Sequence, residues 1–79
     1  MNKYQEIKDV ASHSIATTMR EGEVKYPNDE WRVRRDSEDI HHAILHLLTY
    51  NLGDRCFDPT ELRHALTRIA LILRRKELR

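Results

Sequence analysis

The sequence predicts an all-α fold. Three observations predict it. Apolar residues recur at helical spacing in three separate runs, β-branched alternation is absent, and glycine and proline number only two each in 79 residues. Each of those four stands where a helix should stop or start, or inside the one irregular stretch. The expected architecture is an N-terminal helix, a long Trp-containing connection and an antiparallel helical hairpin. It forms a single domain over residues 1–79 that assembles as a homo-oligomer.

The first helix is expected from Lys3 to Glu21. Asn2 suits its cap, with Gln5 three residues on as a weak capping box. Tyr4, Ile7, Ala11, Ile15 and Met19 form its apolar stripe, with Val10 beside it. Gly22 suits a left-handed stop. The connection that follows contains "KYPNDEWRVRR" at 25–35, which holds the only Trp of the chain. About 14 residues is long for a compact domain, and loops of that length are often functional.

The second helix is expected from Ser37 to Leu52, capped by Asp36 or Ser37 and closed by Gly53. Glu38 and Asp39 fall in its first turn, where negative charge is favoured. The third helix opens on "DPTE", with Asp58 as cap, Pro59 at the first position and Glu61 at the third, and runs to Glu77. The short link between these two helices forces them antiparallel. Ile40, Ile44, Leu47, Leu48 and Asn51 on one, and Leu62, Leu66, Ile69, Ala70 and Leu73 on the other, are the expected core stripes. Leu71 and Ile72 fall on the opposite side from Leu66, so "IALIL" is apolar all round and wants cover on every side. A chain this small buries only ~60% of its unfolded surface, which points to a second copy as that cover.

Composition excludes several classes. Cys56 is the only cysteine, so no internal disulfide forms, and a single thiol fits a reducing compartment. "MNKYQEIKDV" has no apolar core of a signal peptide, and no long apolar run exists. The expectation is a soluble, cytoplasmic protein without a membrane partner. Net charge is +1 with 34% charged residues, which is no duplex-nucleic-acid signature. No phosphate-cradling loop or nucleophile motif occurs. Asp54 and Asp58 would raise the Cys56 thiol pKa. The remaining acids are explained by capping, so no catalytic residue is expected.

Two groups of residues carry chemistry. His42 and His46 are four apart, as are His64 and Arg68, with Arg75 further along the same line. Their helices should turn them outward. An i, i+4 His pair can ligate a metal. His41, His64 or Asp39 could add a third ligand, but no motif fixes one, and the pair reads first as solvated surface or as partners for acids such as Asp39. No metal and no cofactor are expected. The second group is the connection, where Lys25, Arg32, Arg34 and Arg35 flank Tyr26 and Trp31. Aromatics stack on bases and guanidinium groups clamp phosphates. Pro27 restricts Tyr26 to extended backbone. Trp31 can instead fold back as a lid over the hairpin, and the two readings are compatible.

From Gly22 onward the chain resembles a small domain of phage proteins, the dATP/dGTP diphosphohydrolase N-terminal domain. Gly22, Lys25, Tyr26, Trp31, Arg32, Ala43, His46, Leu47, Leu48, Gly53, Asp54 and His64 match its pattern in order and spacing, over about half the chain. The chain departs from it at Leu45, where the family usually has Arg, and in the shortened "RCFDPTELRH". The resemblance implies nucleotide chemistry. In size, helicity and residue inventory the chain is also similar to small oligomeric phage proteins that sequester host signalling nucleotides. The expectation is a non-catalytic oligomer binding a nucleotide or cyclic nucleotide through Lys25, Tyr26, Trp31, Arg32, His42, His46, His64 and Arg68. A metal-dependent nucleotide phosphohydrolase using the histidines, or a protein-binding inhibitor of a host complex, are the alternatives.

Overall fold

A computed structural model of the chain describes residues 2–25, 30–53 and 58–77, without the Lys25 side chain. Tyr26, Pro27, Asp54 and Cys56 lie outside the described residues. Three α-helices and one 3-10 turn make up the described secondary structure, which contains no strand: α1 (Lys3–Lys25), the turn Glu30–Arg32, α2 (Asp36–Leu52) and α3 (Thr60–Glu77). Extents of 33 × 32 × 23 Å correspond to two helical layers, each ~10–12 Å thick. One layer is α2 beside α3. The other is α1, which packs on α3 and not on α2.

α1 starts as its cap predicts, with the Gln5 backbone N–H donating to Asn2 Oδ1 at 2.9 Å. The Gln5 side chain does not close a capping box; it donates to Asp9 at 2.8 Å. The helix does not stop before Gly22 but runs through it to Lys25. A glycine inside a helix costs only ~1 kcal/mol against alanine. Ser14 and Thr18, buried on α1, and Gly22 follow one another at intervals of four, so small groups line the side of α1 that approaches α3. The first half of the expected stripe packs on nothing: Tyr4 is 75% and Ile7 71% exposed.

α3 begins as "DPTE" predicts. Asp58 Oδ1 accepts from the Thr60 backbone N–H at 2.9 Å and from its hydroxyl at 2.6 Å. Glu61 turns away from the cap to meet His46. α2 departs from expectation, since its cap residue is Arg35, with no side-chain capping bond, and Asp36 is spent on Arg75. Asp36 with Arg75, Asp39 with Arg68, and His46 with Glu61 pair in descending order, so α2 and α3 run in opposite directions. Ala43 and Ala65 are buried on these two helices.

The core is not where the apolar stripes placed it. Ile40, Ile44, Leu47 and Leu48 are 44–50% exposed, and Leu62, Ile69 and Leu73 are likewise exposed. The buried residues of these helices are Asp39, Ala43, Ala65, Thr67, Leu71 and Arg75. On α2 the buried Asp39–Ala43 edge lies roughly 100° from the apolar stripe, and on α3 the buried Thr67, Leu71 and Arg75 lie on nearly the opposite side from Leu62, Ile69 and Leu73. An aspartate at 0% exposure must be paired, and the guanidinium groups of α3 that reach Asp39 are those of Arg68 and Arg75. Leu71, expected outward, is the largest buried apolar residue, and Ile72 is half-buried. Among the described residues no helix is long and apolar enough to cross a membrane.

Candidate functional site: a cavity walled by histidine, arginine and tryptophan

The floor of the site is an ion network. Asp39, on the first turn of α2, accepts from Arg68 at 2.8 Å and Arg34 at 3.2 Å through Oδ1, and from Arg75 at 2.6 Å through Oδ2. Arg75 also donates to Asp36 at 2.9 Å and to the Trp31 carbonyl at 2.8 Å. The connection, α2 and α3 are thus tied together at one residue. Burial works to raise the Asp39 pKa, but the hydrogen bonds from Arg68, Arg75 and Arg34 outweigh it, and the carboxyl is held below its ordinary value. Asp36 is lowered too, by hydrogen bonds from Arg75 and then Lys76. Burial pulls Arg75 down, yet Asp39 and Asp36 hold it above the usual guanidinium range. Two carboxylates face three guanidinium groups, so the floor carries surplus positive charge.

Above this floor lies a cavity of about 370 Å³. α2 contributes His42 and His46; α3 contributes His64, Thr67, Arg68 and Leu71; the connection contributes Glu30, Trp31 and Arg34. The C-terminal end of α1 closes it with Thr18, Met19, Glu21, Gly22 and Glu23. The histidines expected to face outward border this cavity instead; His46 and His64 are half-buried, and His42 stays exposed at its edge. His46 Nδ1 lies 2.6 Å from Glu61 Oε2, and its ring centroid is 5.0 Å from that of His64. The His42 pKa is lowered from its ordinary value by desolvation and then by the charge of Arg68.

Trp31 is half-buried in the 3-10 turn, with the Arg32 guanidinium 4.6 Å from its ring centroid. Its carbonyl accepts from Arg75, and the residue lines the cavity. No family model, curated protein or solved structure matches the chain. The site must be read from its own residues.

Of the eight residues singled out in the sequence, Trp31, His42, His46, His64 and Arg68 share the cavity. Arg32 sits beside it on the Trp31 ring. The Lys25 side chain and Tyr26 lie outside the described residues. Sequence reasoning missed Arg34 as a wall residue and Glu21, Glu23 and Glu30 among the lining. It also missed Asp39 as the hub, although an acid on α2 between helices bearing arginine was a signal. Among the described residues, no group of three or more His, Cys, Asp or Glu is placed to hold a metal.

Proposed function

We propose that the chain is a non-catalytic nucleotide-binding protein that works as a homo-oligomer. The observation that carries this reading is the meeting of Trp31, three histidines, Arg34 and Arg68 around one cavity of about 370 Å³. That volume falls within the ~300–1,000 Å³ of small-molecule sites. The two walls differ in chemistry. Histidine and arginine line one side and suit phosphate oxygens. Glu21, Glu23 and Glu30 line the other and accept hydrogen bonds from the amino and ring N–H groups of a base. The indole offers a stacking surface worth ~1–3 kcal/mol per base. Arg32 already covers the indole, so the base takes the side that Arg32 leaves. The resemblance to phage helical proteins supports sequestration of signalling nucleotides as the role, without turnover.

A thermal-shift panel of purine and pyrimidine mononucleotides and cyclic dinucleotides tests the reading. A ligand at 100 times its Kd stabilises the fold by ~2.7 kcal/mol. The ligand should be recovered intact after incubation with magnesium and denaturation of the protein. Trp31→Phe should weaken binding while the fold survives. No shift from any nucleotide would remove the binding reading, and phosphate-bearing products would replace it with an enzyme.

A further inference from the structure

The side of the α2–α3 layer away from the cavity is apolar. On α2, Ile40, Ile44 and Leu47 flank the buried Asp39–Ala43 edge on the side opposite His42. On α3, Leu62, Ile69 and Leu73 flank the α2-facing edge on the side opposite Thr67. Because the two helices are antiparallel, both rows fall on one surface, and α1 packs on α3 at the other. All six residues are 38–59% exposed, which leaves on the order of 500 Å² of contiguous apolar area per chain, among the largest patches that a monomer carries.

We infer that a second copy of this chain docks on that surface, α2 and α3 of one protomer against α2 and α3 of its partner, as a four-helix bundle. Three observations select this occupant. The two rows contain no charged residue, so the surface is complementary to itself and offers nothing to steer a charged partner. Twice ~500 Å² reaches the ~1,000 Å² that a specific interface needs. The buried apolar residues of the described chain are only Ala43, Ala65 and Leu71, too few for a 79-residue fold that has no described metal site and only one cysteine. Facing two-helix layers supply the missing core by the packing of ordinary helix bundles. The dimer places the two cavities on its outer sides, each complete within one protomer. This inference deepens the homo-oligomer part of the proposed function and is independent of its ligand.

Sedimentation equilibrium and thermal melting, both without nucleotide, test it. The protein should be a dimer, and its Tm should rise by several degrees between about 2 and 200 µM. Ile44→Glu with Ile69→Glu should raise the dimer dissociation constant at least ~30-fold, while Thr49→Glu, exposed on the far side of α2, should leave it unchanged. If the glutamate variant also loses helicity, mixing it with the Ile44→Lys, Ile69→Lys protein should restore both helicity and dimer mass. A monomer at about 200 µM with an invariant Tm overturns the inference. So does a dimer that survives both glutamates, a variant pair that never recovers on mixing, or a monomer that sediments with phosphatidylcholine vesicles. The nucleotide panel is scored separately, so either proposal can fail while the other stands.

Discussion

Asp39 is a fully buried carboxylate with three arginine partners, drawn from the connection and from two turns of α3. Removing one partner of a buried charge network leaves the others uncompensated and costs ~3–5 kcal/mol. Asp39→Ala should therefore lower the unfolding free energy by about that amount in denaturant titration. A change under ~1 kcal/mol would mean that the network is solvated and neutral in its effect. The pH dependence follows from the same groups. The folded Asp39 and Asp36 values lie below 3.8, so their contribution is full above that pH and is lost as pH falls towards the folded values. The folded His42 value lies below 6.5, so its contribution is present above 6.5 and is lost as pH falls below it. Stability should decline in two stages on acidification, and His42→Gln should remove the upper one. An anionic ligand favours protonated His42, so nucleotide binding should strengthen as pH drops below 6.5.

At the scale of the element, the helix starts were legible because their chemistry is local. Asn2 and Asp58 cap as read, three residues or fewer from the N–H groups they satisfy. Asp58→Ala should cost ~1 kcal/mol by calorimetry. The end of α1 was misread because glycine permits a stop without requiring one. A Cβ at Gly22 would meet nothing within 4 Å. Gly22→Ala should therefore raise stability by ~0.4–1 kcal/mol, and a loss instead would show that the helix breaks there. The facing of α2 and α3 was not legible from period alone. Periodicity locates an apolar side but cannot say that a charged side of the same helix will be buried in its place. The deciding pairs, Asp39 with Arg68 and with Arg75, are 29 and 36 residues apart. Residue type found the site better than orientation did. Tryptophan and histidine stood out wherever they pointed, while Arg34 could not be separated from Arg32 and Arg35 in a segment without a period.

For the whole molecule, polar chemistry lies inside one layer and apolar chemistry outside it. Ion pairs fix the relative rotation of α2 and α3, and their exposed rows remain available for association. Thr67, which the stripe pattern would treat as a neutral surface position, is 4% exposed and donates through its hydroxyl to the Arg63 carbonyl. Thr67→Glu should therefore unfold the protein, whereas Leu48→Glu, on an exposed row, should leave its circular dichroism spectrum helical. The reverse ranking would mean that the helices sit with their apolar stripes inward.

α1 packs on α3 alone among the described helices, and its first eight residues are all exposed. A helix held along half its length on one neighbour opens at a smaller free energy than the pair beneath it. Its amide hydrogens should exchange with deuterium faster than those of α2 and α3, fastest near Tyr4 and slowest near Thr18. The same opening lifts Met19 and Glu23 off the cavity that they line and exposes it to bulk water. Occupancy of the cavity should then slow exchange in the C-terminal half of α1 and leave its first turns as fast as before.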